Sequence, residues 1–562
     1  MSPDPNLDLK RARRGRRWPA LAVVCVAALI INIDNTILNV ALPTLVRDLS
    51  ATSSQLQWIV DSYAMVFAGL LFVGGSLADR FGRKRFFLVG LTIFTAGSIG
   101  AAFSGTVDPL IACRAIMGAG AAFTIPASLS IINDMFRDSS ERARAIGIWA
   151  GTVGLGIAIG PIAGGLLLSR FWWGSIFLVN VPIVVVGLVG ALAFVPDSKN
   201  PEATRPDPVG ALLSIAGLGL LLWAIVEGPD QGWTSSAVVA VGLASFLVLG
   251  CFLAWEAHTD HPMLKLAFFR DRRFSVALAA ECLGVFGLMG ALFIQTQFLQ
   301  FDLGYSPFDA GLRILPIAGM LLVSAAVSRI VARLIGIKLT VAAGLAAIAA
   351  GLWQASAVST PSATYGDVVP GLLLIGLGAG LLLSTATNSV IGSVPQGDSG
   401  IGSATNSVAL QVGGALGVAV IGSVMLTRYQ DDMNAALAGH QVPAAVNQII
   451  LGSLGGALTV ASTVGGATGA LLDHAARSAF MSGVTVSLAV GAVVALAGAL
   501  LVVVALPSRT HGRWPGPGGD KQDQIVSSRQ QHFDAQDESS VWGRCTTTRL
   551  IQRSRETSGL RR

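Results

Sequence analysis

Residues 18–41 read WPALAVVCVAALIINIDNTILNVA, a nearly unbroken apolar run whose one ionisable side chain, Asp34, lies beyond its midpoint. At 1.5 Å per residue a helix of this length extends about 36 Å, enough to cross the roughly 30 Å hydrocarbon layer of a bilayer. Lys10, Arg11, Arg13, Arg14, Arg16 and Arg17 precede the run, as they would in a secretory signal. No small-residue cleavage site follows, and comparable runs recur as far as Leu506. The segment therefore reads as a retained anchor with its basic flank in the cytoplasm.

Fourteen spans can be drawn, at 18–41, 55–78, 86–104, 109–133, 143–168, 173–195, 209–227, 236–256, 274–300, 308–333, 337–357, 367–393, 400–427 and 479–506. Composition agrees: the 562 residues are 52% hydrophobic and 12% charged, with a mean hydropathy of +0.66. That is about half the charge of a soluble domain, which excludes a string of soluble domains as well as a disordered chain. Cys25, Cys113, Cys251 and Cys282 fall inside apolar runs and read as packing residues rather than a disulfide framework. The loops sort by charge. Those expected inside hold Arg80, Arg83, Lys84 and Arg85; Arg137, Arg142 and Arg144; Lys199 and Arg205; Lys265, Arg270, Arg272 and Arg273; and Arg329, Arg333 and Lys338. Those expected outside hold only Arg47, Arg170, Arg313, Arg428 and Arg477. This bias follows the positive-inside rule, so the net charge of +6 is a topology signal and not the mark of a nucleic-acid partner. Both termini are expected in the cytoplasm.

The organisation expected is all-α and polytopic. Residues 1–17 form a basic cytoplasmic N-terminus, 18–196 a six-helix bundle, and 197–272 a linker with two extra spans. Residues 273–506 form a second six-helix bundle with an Ala- and Gly-rich outer loop at 429–478, and 507–562 a disordered cytoplasmic tail. The two six-span halves echo one another. Gly118-Ala119-Gly120 returns as Gly378-Ala379-Gly380, each followed by polar positions (Thr124 and Ser128; Ser384 and Asn388). The loop from Asp79 to Lys84 has a degraded echo from Ala332 to Lys338. Repeats of parallel orientation put a substrate path between the halves and work by rocking.

Five segments carry a family resemblance. Gly75-Ser76-Leu77-Ala78-Asp79-Arg80-Phe81-Gly82-Arg83-Lys84 is similar to the loop 2–3 signature of the major facilitator superfamily. Arg114 to Ala122 resembles that superfamily's span-4 motif, with Met117 where Gln is usual. Gly156, Gly160, Pro161, Gly164 and Gly165 resemble its antiporter motif. Asp34 to Pro43 and Trp58 to Tyr63 resemble spans 1 and 2 of the fourteen-span drug:proton antiporters, the quaternary-ammonium efflux pumps among them. The resemblance implies a 6+2+6 major facilitator fold in two pseudo-symmetric bundles at the cell membrane. It further implies a proton-coupled exporter of hydrophobic, often cationic, drugs or antibiotics. It implies that the loop motif (Gly75, Asp79, Arg80, Gly82, Arg83 and Lys84) latches the outward-open state, with the start of span 13 near Ser399 as partner, and that the span-5 motif limits leak.

The residues supply their own argument. Each intramembrane charge costs about 2.5–3.5 kcal/mol at midspan on insertion scales, so Asp34, Asp61, Arg114 and Glu281 should face water or one another. Helical rise puts Asp34 about 24 Å from the inner start of span 1, and Asp61 and Arg114 about 9 and 8 Å from the outer starts of theirs. A shared cluster in the outer half is therefore possible. Burial favours a neutral acid and a neighbouring guanidinium favours a carboxylate, a balance that a moving cavity can tip. Asp34 is the expected proton carrier, with Arg114 modulating it and Asp61 assisting or attracting a cation; the alternative is a fixed ion pair that never titrates. Asn35, Trp58, Tyr63, Glu281, Asn388, Asn406 and Gln411 are candidates for the substrate path, and polar contacts between helices explain the uncharged ones equally well. Asn32, Thr36 and Asn39 form a polar stripe on span 1 turned away from Asp34, so that span should be buried on most sides.

Spans 10 and 13 lack the further acids of some quaternary-ammonium pumps, which favours monovalent, zwitterionic or neutral amphiphiles. No Gly-x-x-x-x-Gly-Lys-Ser/Thr segment cradles ATP, and the histidines (His258, His261, His440, His474, His511 and His532) fall in loops or the tail. No cofactor or metal is expected, and a monomer driven by the proton gradient is. A dedicated exporter of one metabolite, lipid or amino acid is the second reading; a membrane sensor or membrane-embedded enzyme is a remote third.

Overall fold

The computed structural model describes residues 5–507 except 137, 200–205, 261, 361–362 and 396–398, and at 5–16, 139, 143, 150, 153, 154, 157, 399 and 400 it describes the backbone alone. The expected disordered tail thus falls almost wholly outside the described residues. The chain runs through α1 (Pro5–Leu49), α2 (Ser53–Phe81), α3 (Arg83–Ala102), α4 (Val107–Met135), α5 (Ser139–Arg170) and the broken pair α6 (Ser175–Leu178) and α7 (Asn180–Phe194). Next come α8 (Pro208–Gln231) and α9 (Ser236–His258). The second half holds α10 (Arg272–Gln297), α11 (Pro307–Ile335), α12 (Ile337–Val358), α13 (Tyr365–Gly392), α14 (Ser399–Leu437), the short α15 (Ala444–Gly452) and α16 (Leu454–Val464), and α17 (Gly466–Ala505). Among the described residues thirteen helical stretches are long and apolar enough to cross a bilayer, and α5, 32 residues long, completes the expected fourteen.

Helices are the form this sequence must take in lipid, because each satisfies its backbone polar groups within one segment. Their ends are written in side chains. Thr52 and Gln55 form a capping box at the start of α2, and Thr364 and Asp367 another at the start of α13. Asp138, Asp207, Ser235, Asp271 and Ser306 cap α5, α8, α9, α10 and α11. At the tight α2–α3 turn Gly82 has φ 125°, a conformation closed to other residues.

The helix pairings repeat. In the first half α1 packs on α5, α2 on α4, α3 on α4 and α1 on α7; in the second α10 packs on α14, α11 on α13, α12 on α13 and α10 on α17. Two seams join the halves, α2 with α14 and α5 with α11, as a two-fold relation requires. The register differs from the one the Gly-Ala-Gly triplets suggest. Gly118 lies on the backbone of Tyr63 in α2 and Gly120 on the Gly90 carbonyl in α3, whereas Gly376 lies on Ile317 in α11 and Gly378 on the Gly344 carbonyl in α12. The counterparts of Gly118 and Gly120 are therefore Gly376 and Gly378, two residues earlier, because close approach selects the Gly-x-Gly spacing whatever residue lies between.

Of the inserted pair, α8 packs on α2, α14 and α9, and α9 leaves most of its surface open for lipid. The stretch 429–478 is mostly helical: α14 runs on to Leu437, α17 starts at Gly466, and α15 and α16 lie between. Leu454, Ala457 and Ala461 form the buried face of α16, an aliphatic stripe that composition alone conceals.

Candidate functional site

Groups from α2, α3, α4 and α7 gather around Asp34 of α1. Arg114 of α4 donates from Nη1 to Asp34 Oδ2 at 2.5 Å, and Asn180 at the start of α7 donates from Nδ2 to Oδ1 at 2.8 Å. Arg114 also donates from Nε to the Ile59 carbonyl of α2 at 3.1 Å, and its guanidinium lies 4.4 Å from the centre of the Tyr63 ring. Asn180 reaches Ser98 Oγ of α3 at 2.9 Å, and Ser98 donates to the Phe177 carbonyl at 2.8 Å. Asp34, Arg114, Asn180 and Ser98 are all wholly buried. Removing two charges from water is costly, and only close pairing with further hydrogen bonds offsets the cost; this cluster has both. The pairing of Asp34 with Arg114 is thus direct, inside the first bundle. Asn180 and Ser98 escaped the sequence reading, and the one available signal was an amide, Asn180, in the apolar run from Ser175 to Phe194.

Asp61 stands apart. It is fully buried, and neither carboxyl oxygen has a hydrogen-bond partner among the described residues. One turn earlier Gln57, also buried, lies against Gly422 and accepts a bond from Ser423 Oγ at 3.2 Å, both on α14. Residues four apart share a helix face, so Asp61 lies on the α14 side of α2, at the seam between the halves and not in the Asp34 cluster.

The other face of α1 meets the span-5 motif. Gly156, Gly160 and Gly164 lie against Asn32, Thr36 and Ile37, and Thr36 Oγ1 donates to the Gly156 carbonyl at 3.2 Å. The neighbouring Gly165 faces the other half, against the backbone of Pro307 and Phe308, while Gly311 of α11 lies on the Pro161 carbonyl. A side chain at any of these five glycines would collide with its neighbour, so the motif builds one smooth face toward α1 and another toward α11.

Beside that contact is a narrow pocket lined by Thr36, Asn39 and Val40 of α1, Pro161 of α5, Leu288, Met289, Leu292 and Thr296 of α10, and Ile314, Leu315, Ile317, Ala318 and Leu321 of α11. Its walls come from both halves. They are aliphatic with three uncharged polar residues, and no acid lines them. Gln300 Nε2 donates to the Val40 carbonyl at 2.9 Å, and Gly455 packs on Val46 and Phe301. Together with the α5–α11 contact, these close the end of the seam opposite the basic α2–α3 turn.

At the basic end Asp79 accepts from Arg83 at 2.7 Å, and Arg83 lies 3.6 Å from Asp134 of α4. Lys84 donates to the Leu192 carbonyl at the end of α7 at 3.0 Å, Arg80 lies over the Phe81 ring, and Gly75 lies against Pro126. The loop motif thus binds α2, α3, α4 and α7 into one body. The expected latch to the start of span 13 falls on residues 396–400, outside the described side chains.

The remaining path candidates scatter. Tyr63 is buried under Arg114, within the first half. Trp58 donates to Glu227 of α8 at 3.3 Å, and Gln411 lines a separate pocket between α2, α8 and α14, so both turn toward the inserted helix and away from the larger pocket. Glu281 is buried and accepts from Thr387 of α13 at 2.5 Å, within the second half. Asn388 is exposed and bonds the Ser384 carbonyl, Asn406 is buried with Oδ1 unpartnered, and Asn35 is half-buried with its carbonyl accepting from Asn39. Among the described residues no group of three His, Cys, Asp or Glu side chains is placed to hold a metal ion.

Comparison with known proteins agrees with this architecture. The family model of the Major Facilitator Superfamily matches residues 24–418. The multidrug efflux pump LfrA of Mycolicibacterium smegmatis is 35% identical over 500 residues, covering 87% of this chain and 96% of that protein. The tetracenomycin C resistance and export protein of Streptomyces glaucescens is 31% identical over 510 residues, covering 89% and 94%. Among solved structures, a bacterial homologue of the human lysosomal transporter Spinster, inward-facing and unoccupied, superposes with a TM-score of 0.59 at 16% identity over 89% of this chain and 99% of that one. At that identity the likeness speaks for the fold alone.

Proposed function

The chain belongs to the Major Facilitator Superfamily, and from that premise we propose that it is a proton-coupled antiporter that exports hydrophobic, often cationic, drugs or antibiotics. The observation that carries the reading is the aliphatic pocket shared by both halves at a seam shut on one side. Such a pocket binds by size and apolar area, and a binding place between two bodies that rock is what alternating access needs. Relatives named as efflux and antibiotic export proteins support the same substrate class.

In the proposed cycle the basic end faces the cytoplasm, with both termini on that side, and the state described is the one that admits substrate from within. An amphiphile settles among Met289, Leu292, Ile314 and Leu321, with Asn39 and Thr36 offering polar contacts. Asp34, bonded to Arg114 and Asn180, is the coupling residue of this cycle. Opening of the far end wets the cluster; a proton taken up by Asp34 releases Arg114 from its pair, and return of the bundles carries that proton inward. Asp61, at the moving α2–α14 seam, assists by drawing cations or by taking a second proton. The loop motif keeps the first half rigid while it tilts, and the smooth face of α5 lets the far end close without a leak. The proton gradient supplies the energy without a nucleotide, and one chain suffices. The pocket of uncharged residues favours monovalent, zwitterionic or neutral amphiphiles.

The test is expression in a pump-deficient host with a drug panel, followed by ethidium accumulation with and without a protonophore. Extrusion that the protonophore abolishes is expected. Equal accumulation in cells with and without the protein, across the whole panel, would overturn the reading.

A further inference from the structure

The inserted helix α8 does not sit idly beside the bundles. Its last two turns carry a row of polar contacts that alternate between the halves. Asp230 accepts from Ser54 Oγ of α2 at 2.6 Å through one carboxyl oxygen and from Gln430 Nε2 of α14 at 2.8 Å through the other. Glu227 accepts from Trp58 of α2, and beyond the helix Trp233 donates to Thr427 of α14 at 3.2 Å. A proline explains the strongest backbone contact. Pro229 has no N–H, so the carbonyl four residues earlier, that of Ile225, loses its helical partner; Ser423 Oγ of α14 donates to that carbonyl at 2.7 Å. Leu222 and Val226 of α8 fill the space beneath, in one apolar cluster with Ala415 and Ala419 of α14 and with Trp58 and Met65 of α2.

We propose that α8 is a strap across the far end of the α2–α14 seam, with Asp230 as the positioning residue that ties Ser54 of one half to Gln430 of the other, so that α8 sets how readily that end opens. The inference rests on the rocking motion put forward above. Opening draws the outer ends of α2 and α14 apart. A single carboxylate cannot keep both of its donors through such a movement, so the strap favours the closed far end and its release belongs to the opening step. The helix pair inserted between the halves thereby gains a role that a twelve-helix plan would lack: it biases the conformational equilibrium while lying outside the substrate path.

The full-length protein, with its five native cysteines replaced, would carry spin labels at Ser169 of α5 and Leu312 of α11, both exposed and on the opposite seam. Pulsed distance measurements in lipid nanodiscs then report the ratio of open to closed far ends. Ser54→Ala, Gln430→Ala and Asp230→Ala should each raise that ratio about tenfold, the scale of a hydrogen bond to a charged group. Pro229→Ala, which restores a helical partner to the Ile225 carbonyl, should shift it in the same direction. Combining Ser54→Ala with Asp230→Ala should add nothing to Asp230→Ala alone, since the bond between these two residues is already gone. Asp230→Asn should fall between wild type and Asp230→Ala, because Gln430 can turn its amide to suit but both bonds are then to a neutral group. An unchanged ratio in all four single variants would overturn the strap, as would full additivity of Ser54→Ala and Asp230→Ala. The same samples, reconstituted into vesicles, separate this inference from the reading beneath it. A wild-type protein that exports while the variants leave the distances unmoved sinks the strap alone, whereas a wild-type protein that exports nothing sinks the transport reading whatever the distances show.

Discussion

Replacing Arg114 by leucine should be among the most destabilising single changes in the first bundle, and replacing Asp34 by asparagine in the same chain should repair much of the damage. Arg114 gives Asp34 a charged hydrogen bond at 2.5 Å, gives the Ile59 carbonyl another at 3.1 Å, and covers the Tyr63 ring. With the guanidinium gone, Asp34 keeps only the Asn180 amide in a site closed to water. Breaking a buried pair from one side costs about 3–5 kcal/mol, and the lost ring contact adds about 0.5–2 kcal/mol. Against the roughly 5–15 kcal/mol that holds a typical protein folded, the loss is severe. The double variant buries no uncompensated charge. Asparagine at position 34 still accepts from Asn180, and the fold tolerates leucine in this setting, since register places Leu372, wholly buried, at the matching position of the second half. At least half of the loss should return. Thermal midpoints from fluorescence-detected gel filtration of detergent-solubilised protein provide the measurement, in the expected order wild type, double variant, Arg114→Leu. A double variant no more stable than Arg114→Leu would refute the reasoning, because the two charges would then not depend on one another.

Other expectations follow from the same geometry. Asp34→Asn leaves the Arg114 guanidinium buried against a neutral amide and should itself cost about 3–5 kcal/mol; at matched amounts of folded protein, proton-driven substrate uptake into inverted vesicles should vanish, and uptake at the wild-type rate would remove Asp34 from the coupling. Gly311→Leu drives a side chain into the Pro161 carbonyl, which should hold the far end ajar and lower export about tenfold or more, read as lost resistance at unchanged membrane abundance. Leu292→Trp sets an indole into the narrow pocket between α1, α10 and α11 and should abolish resistance to bulky compounds while sparing small ones. A uniform loss across the panel would mean that the pocket does not select by size.

Much of the architecture was legible because a bilayer reduces the problem to counting apolar runs and basic loops. The fourteen spans, the two halves and the glycine face of α5 all follow from residue type and helical spacing. The Asp34–Arg114 pair was legible for a related reason: two charges at similar depth in lipid have few partners other than each other. What eluded the reading depends on which neighbour a helix face meets. Trp58 and Gln411 lie on polar faces that look like parts of a path, but α8 covers them, and nothing in the chain order says where an inserted pair will dock. Asn180 is one amide among aliphatic residues, and its importance appears only when α7 brings it to Asp34. The repeat register slipped by two because identical triplets are a weaker guide than the glycines that touch a neighbour. The extent of helix in 429–478 stayed hidden for want of a long apolar run.

The contacts that define the repeat also show where it fails. The matching positions to Arg114, Ser98 and Tyr63 are Leu372, Leu352 and Ile317, all buried hydrocarbon, and most of the pocket wall is drawn from α10 and α11. In the proposed cycle one half is therefore the engine and the other the glove. Changes in α10 and α11 can reshape what is gripped without disturbing the charges that drive the grip, and a shift in drug spectrum should map to the back half of the chain while a loss of energy supply maps to the front.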